Sequence, residues 1–279
     1  LINNKAQQMM TKQLACLVEQ ALVDEVQLSP KPGLVDARDN GAHTDMDASL
    51  FIKSARALTP FFEQMAQAAW CHPVDQTLRE TIAQIGRSAE QAMFEATGGV
   101  NTHKGAIWVM GLLVSVYAHQ ISMRQSTQIE TVLKKVSQLA QFLDEQYTSQ
   151  NVTHGAVVKK RYRVNCAYEE AVLGYPHILL AVQTYQKWQT NTPQQAQLQM
   201  LLTLMGSVAD TCVLHRSDQQ TLIKMQQLAI QAGQNALPND SFTALIQYCQ
   251  EHHISPGGSA DLLAASLFVL AVDAKISVC

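Results

Sequence analysis

The sequence predicts an all-α fold, about ten helices packed as a single compact domain with little or no sheet. Three observations carry that prediction. Apolar residues recur at helical spacing in Met10, Leu14, Leu17 and Ala21, in Val132, Val136, Leu139 and Phe142, and in Leu198, Leu201, Met205 and Val208. No sustained run alternates apolar with polar, and the Asn-Gly hairpin signal is confined to Asn40-Gly41. Hydrophobic residues make up 47% of the chain and charged residues 15%, below the usual ~25%, which suits heavily buried helices and not a disordered chain.

The periodicity places helices over 7–28, 46–70, 75–96, 103–121, 127–148, 167–188, 194–213, 218–233, 240–251 and 260–275. The first should stop at Ser29-Pro30-Lys31-Pro32-Gly33, where two prolines stiffen the chain. Gly98-Gly99 breaks the third from the fourth. Further breaks fall at Ser149 to Gly155 and at Asn191 to Pro193. The last helix follows the Ser255-Pro256-Gly257-Gly258 turn, with Ser259 as its expected N-cap and Asp261 in its first turn, where a carboxylate suits the helix dipole. No Pro/Ser-rich linker and no fixed-period repeat divides the chain, so one domain over 1–279 is expected.

The formal net charge is −3 and the pI near 6.3, so a global basic field for nucleic acid is absent and any anion needs a local cluster. Cys16, Cys71, Cys166, Cys212, Cys249 and Cys279 are scattered without a C-x-x-C pair, and read mostly as small buried hydrophobes, not zinc ligands. The first residues lack the pattern of a signal peptide, and the longest apolar stretch, Ala106 to Ala118, is shorter than the ~20 residues of a membrane span. The expectation is a cytoplasmic protein without a membrane or nucleic-acid partner.

Polar, glycine-bearing segments recur beside apolar helices. The loop from Ser29 to Asp45 displays Lys31, Asp36, Arg38, Asp39, His43 and Asp45. Thr97 to Gly105 carries Asn101, His103 and Lys104 into an apolar helix, without Walker A spacing. Asp210 sits among Leu204, Met205, Val208 and Val213, so its carboxylate should be partly buried and in need of a partner or a metal, and His215 and Arg216 follow it. Ser255, Gly257, Gly258 and Ser259 open the last apolar helix with amides suited to a phosphate. Glu169-Glu170 precedes Gly174-Tyr175-Pro176-His177, with only one of the two acids able to face a given site. Lys159 to Arg163 is the densest basic run, a solvated surface or a landing place for a polyanion. Gathered at helix ends, such lysines, arginines and amides suit phosphates, while Asp36, Glu170, Asp210 and Asp261 suit Mg²⁺ or acid–base work. The residues therefore point to a helical enzyme that handles a phosphorylated, nucleotide-like substrate.

The same motifs, in this order, resemble those of the triphosphoribosyl-dephospho-CoA synthases over Ala21 to Leu270. The resemblance rests on Ser29-Pro30-Lys31-Pro32-Gly33-Leu34-Val35-Asp36, on Asn101-Thr102-His103-Lys104-Gly105, on Glu170 with Gly174-Tyr175-Pro176, on Asp210-Thr211 and on Ser255 to Leu263. It implies that ATP and 3'-dephospho-CoA give 2'-(5''-triphosphoribosyl)-3'-dephospho-CoA and adenine. That product is the prosthetic-group precursor for the acyl carrier subunit of malonate decarboxylase or citrate lyase, reached through a holo-acyl-carrier-protein transferase. The Leu214-His215-Arg216 stretch is similar to the malonate branch.

On this resemblance Lys31, Asn101, Lys104, Arg216, Ser255, Gly257, Gly258 and Ser259 are expected to bind substrate. Asp210, Glu170, Asp36 and Asp261 are expected to share the roles of base, cation stabiliser and Mg²⁺ ligand, Asp210 and Glu170 being the first choices for the metal. His103 or His215 is expected to protonate the departing adenine. Two rivals are a non-catalytic partner that delivers cofactor to the carrier and a helical phosphohydrolase with a His/Asp metal centre, though no adjacent His-Asp pair is present.

Overall fold

A computed structural model describes residues 2–144, 158, 160–162 and 164–276, with side chains described from residue 4 onward. The predicted Ser149 to Gly155 break, the end of the helix expected to reach residue 148, and Lys159, Arg163 and Cys279 lie outside them. Among the described residues no strand occurs and the chain is 74% helical. The helices are α1 (Ile2–Gln27), α2 (Ala48–Ala69), α3 (Gln76–Thr97), α4 (Lys104–Ser122), α5 (Ile129–Gln141), α6 (Ala167–Val172), α7 (Pro176–Trp188), α8 (Pro193–Ser207), α9 (Thr211–Arg216), α10 (Gln219–Gly233), α11 (Asp240–Glu251) and α12 (Gly257–Lys275). A further helical turn passes through Val158 and residues 160–162.

Two helices without a polar face organise the rest. Along α4 nearly every residue from Ala106 to Gln120 is buried, and α12 is buried from Leu262 to Val269. Such helices must be covered on all sides. Helix α4 packs against α1, α2, α3, α5 and α12, and α12 against α1, α7, α8 and α9. Both are long and apolar enough to cross a bilayer by length and composition, α4 running to 19 residues, six more than its apolar core predicts. They are also 78% and 56% buried in the protein itself, as core helices are. One hydrophobic cluster runs from Leu14 to Ile276. A small satellite of Val26, Val35 and Met46 lies beneath the loop that follows α1 and holds it down.

The observed breaks differ from the predicted ones at four places. The helix expected over 127–148 ends at Gln141, with Phe142 its extended C-cap. The helix expected over 167–188 is two helices, because Gly174 and Tyr175 adopt positive φ of 78° and 51° and Pro176 starts α7 afresh. The helix expected over 194–213 stops at Ser207 and restarts as α9, with the Asp210 carboxylate capping the new start. The last helix begins earlier than expected: Gly257 and Gly258 form its first turn, Pro256 is the N-cap, and Ser259 is already inside. The cysteines also differ from expectation: Cys16 and Cys71 are exposed, Cys166 and Cys212 half-buried, and only Cys249 of the described ones is buried.

Gly33 shows how the loop after α1 is tied to the start of α12. Its φ is 71°, and a Cβ there would overlap the Ile254 carbonyl oxygen and stand 3.0 Å from Cys249 Cβ. Gly33→Ala therefore combines left-handed strain with a backbone clash, and should lower unfolding free energy by about 2–3 kcal/mol in a denaturant titration.

Candidate active site

The segments singled out in the sequence converge at one end of the α4–α12 pair. The centre is Asp210, fully buried between the starts of α9 and α12. Its Oδ1 accepts from the backbone nitrogens of Cys212 (2.9 Å) and Val213 (3.4 Å), which caps its own helix. It also accepts across the fold, Oδ1 from Gly258 N (3.4 Å) and Oδ2 from Ser259 N (2.8 Å) and Ser259 Oγ (3.0 Å). One carboxylate thus caps two helices. Burial raises its pKa, opposed by the bonds from Ser259, Cys212 and Val213. The Gly258 amide, expected to meet phosphate, is turned to Asp210, as is that of Ser259.

One turn along α12, Asp261 reaches the start of α4. It accepts from Ala106 N and lies so close to Gly105 that a Cβ there would overlap its Oδ2. As a residue Asp261 is half-buried, while its carboxyl is enclosed. Its pKa is raised well above the ordinary value by loss of solvent, then by the negative charges of Glu25 and Asp210. Glu25, at the end of α1, is buried and bonded to Lys31, whose Nζ also donates to the Glu25 carbonyl at 2.7 Å. Burial raises the Glu25 pKa even against the adjacent ammonium, and Asp36 adds to the rise. Asp36 accepts from Lys31 N (2.8 Å), Arg38 N (2.7 Å) and Asp39 N (3.2 Å), so its carboxylate folds the loop around itself.

His103 stands beside this group, 4% exposed. Its Nδ1 lies 2.8 Å from Ser54 Oγ, Phe51 meets its ring edge-on, and Nε2 has no hydrogen-bond partner. Burial, and the nearby charge of Lys31, push its pKa down to about 3. The imidazole is therefore neutral near pH 7, which disfavours it as the proton donor expected for adenine. The outer edge is formed by His43, whose Nε2 lies 2.9 Å from Ser255 Oγ. Burial lowers the His43 pKa, and the nearby positive charge of Arg216 adds to this. His215 and Arg216 are exposed at the end of α9.

Three expected residues point elsewhere. Lys104 pairs with Glu90 on α3 at 2.9 Å, and Asn101 accepts from Lys104 N at 3.2 Å as a local brace. Glu170 is buried but accepts from His177 N (3.1 Å) and bonds His177 Nδ1 (2.9 Å), capping α7 and raising the His177 pKa. Its connection to the Asp261 group runs through Tyr175, on which both acids act electrostatically. Sequence reasoning missed Glu25, Ser54 and Tyr175. Glu25 did carry a signal: it follows Val18, Ala21 and Leu22 at helical spacing, an acid on a buried stripe.

Among the described residues no three of His, Cys, Asp and Glu come close enough to hold a metal ion by themselves. Asp210, one of the two first choices for Mg²⁺, spends both oxygens on five donors. Glu25 and Asp261, close enough to interact electrostatically, are the carboxyls that would meet a divalent ion carried in by a phosphate chain, which needs only one or two of them.

Convergent carboxyls with raised pKa values, beside surface cations at helix ends, define an all-helical enzyme of group transfer. Its relatives agree. The family model described as ATP:dephospho-CoA triphosphoribosyl transferase matches residues 11–278. A Klebsiella pneumoniae protein named "2-(5''-triphosphoribosyl)-3'-dephosphocoenzyme-A synthase" is 41% identical over 269 residues, 92% of this chain and 93% of that one. A Pseudomonas fluorescens protein named "Probable 2-(5''-triphosphoribosyl)-3'-dephosphocoenzyme-A synthase" is 43% identical over 269 residues, 93% of this chain and 91% of its own. A crystal structure from Archaeoglobus fulgidus, of a candidate triphosphoribosyl-dephospho-CoA synthase, shares the fold with a TM-score of 0.51 at 16% identity, covering 78% of this chain and 96% of that one. The chain belongs to the CitG family of ATP:dephospho-CoA triphosphoribosyl transferases.

The raised carboxyls oppose folding once ionised, and this fixes a sign. The folded state holds the Asp261 proton more tightly than the unfolded state, so stability falls as pH rises from about 4, the ordinary aspartate value, through the raised one. Asp261→Asn removes that penalty and keeps an oxygen for Ala106 N. Its melting temperature should match the wild type below about pH 4 and exceed it by a widening margin above. Asp210→Asn should do the opposite, since its amide NH₂ would face the Ser259 donors, and should lose about 1–3 kcal/mol.

Proposed function

We propose that the protein joins the 2'-oxygen of 3'-dephospho-CoA to C1' of the ATP ribose, with adenine as leaving group, and so supplies the prosthetic-group precursor of malonate decarboxylase. The observation that carries this reading is Asp261, a carboxyl of raised pKa on a half-buried residue, set among Glu25, Asp210 and the start of α4. In the reaction the C1'–O bond forms, the C1'–N9 bond breaks with its electron pair leaving on adenine, and the hydroxyl proton is matched by the one adenine gains. Asp261 takes the hydroxyl proton, a task suited to a raised pKa. The charges of Glu25 and Asp210 behind it favour the positive character that develops on the ribose. Lys31, Lys104 and Arg216 supply positive charge for the triphosphate, and Arg216 stands nearest the His43–Ser255 edge. Lys104 would leave Glu90, a half-exposed pair whose opening costs little. His215, exposed where His103 is buried, is the better candidate to protonate adenine.

A Mg²⁺ ion bound with the triphosphate would neutralise phosphate charge, and Glu25 is the carboxylate left to it while Asp261 serves as base. The likeness of the Leu214-His215-Arg216 stretch to the malonate branch is what favours it over the citrate lyase branch. The carrier protein and its transferase are reached through the released product, with no direct contact required.

Incubation with ATP and dephospho-CoA should release adenine; release of ADP or phosphate instead would overturn the reading. Asp261→Asn should cut turnover by ~10²-fold or more, and wild-type turnover should rise with pH as Asp261 ionises. Gly105→Ala, whose methyl group takes the place of the carboxylate, should cost turnover similarly while the protein stays folded. Product offered with the matching transferase to apo-carriers of both decarboxylase and lyase, in extracts of the source cell, should restore the decarboxylase; restoration of the lyase alone would reassign the branch.

A further inference from the structure

One turn along α4 from Gly105, around Trp108, lies a second polar group that the reaction scheme leaves unused. Arg79, in the first turns of α3, is 6% exposed and its guanidinium sits 4.9 Å from the centre of the Trp108 ring. Its Nε is buried without a hydrogen-bond partner. Asp144, the acid that acts on it, is bonded to Arg87 at 2.5 Å. Next to it is the Tyr175 hydroxyl, 1% exposed as a residue and likewise unpartnered. Trp108 Nε1 lies beside that hydroxyl but donates to the Ala167 carbonyl at 3.2 Å. Burial keeps Tyr175 protonated, so it remains a donor.

A buried cation and a buried hydroxyl, both lacking acceptors, are each costly to a fold and seldom kept without use. Together they present donors and one positive charge to the same space, which calls for an anionic acceptor. Glu170, the acid flanking Tyr175, is offset by the His177 ring it bonds. Tyr175 also feels Asp261, so the Arg79–Tyr175 pair lies within electrostatic reach of that carboxyl.

We propose that Arg79 and Tyr175, with Trp108 orienting the guanidinium, bind the diphosphate of the acceptor nucleotide. The acceptor is the substrate whose hydroxyl must reach Asp261, whereas the donor's triphosphate belongs to the Lys31–Arg216 side. The name of the ligand rests on the transfer reaction proposed above; the existence of the site does not.

The intact protein is titrated calorimetrically with 3'-dephospho-CoA, with and without saturating inorganic triphosphate, and KM is measured for each substrate. Arg79→Met and Tyr175→Phe should weaken 3'-dephospho-CoA by ~10–100-fold, the scale of a lost charge-assisted hydrogen bond, and leave the KM for ATP within about 2-fold. Neither variant should melt below the wild type, since each removes an unpaired buried polar group. Unchanged dephospho-CoA affinity in both variants, equal loss for both substrates, or no wild-type binding in either titration would overturn the site. Wild-type binding that Arg79→Met abolishes, without adenine release by the wild type, would keep the site and overturn the reaction.

Discussion

The arrangement depends on one buried carboxylate. Asp210 accepts from the starts of α9 and α12 together, and a helix start buried without such a partner would leave several N–H groups unsatisfied. Fixing α12 in this way fixes Asp261 one turn later, and Asp261 in turn meets the start of α4. Two helices that share the core therefore meet through acids, each cap positioning the next. The loop after α1 closes the same region through Gly33 against Ile254 and His43 against Ser255.

This solution has an electrostatic consequence. Helix starts attract anions, and here Asp210 and Asp261 already hold three of them, those of α9, α12 and α4. Phosphates must be met by side-chain cations and by an ion that arrives with them. Glu25, Asp210 and Asp261 have pKa values raised chiefly by burial, with the repulsion of Glu25 and Asp210 adding at Asp261 and Lys31 opposing the rise at Glu25. A purely structural cap would be better served by a neutral side chain at Asp261, which has no such number of donors to satisfy. Retaining a carboxyl there costs stability once it ionises, which fits the role of proton acceptor proposed for it.

Much of this was legible in the sequence because the site is assembled from helix starts, and helix starts announce themselves through glycine, proline and short polar residues. Lys31, Asp36, His103, Asp210, Gly258 and Asp261 were all marked in that way, and they do converge. What they do there was less legible. The amides of Gly258 and Ser259 were matched to a phosphate because their spacing suits one, but spacing cannot show that Asp210 occupies them first. His103 looked like a proton donor until its depth was known, since burial and not sequence sets its pKa near 3. The breaks at Tyr175 and Asp210 escaped notice because apolar periodicity runs on across both. Glu25 was hidden by its apolar neighbours, although an acid on a buried stripe is the kind of exception that pays inspection.

The same helix start also joins the two polar groups. Gly105 faces Asp261 and Trp108, three residues further along α4, faces Arg79. Residues three apart lie on neighbouring parts of one helix face, about 60° apart around the axis. A single turn of α4 therefore sets the Asp261 carboxyl and the Arg79–Tyr175 pair side by side. Tyr175, held at φ 51° between Gly174 and Pro176, is the side chain that feels both, through Asp261 on one side and Arg79 on the other. Helix α4, buried along most of its length, is the common support of both groups.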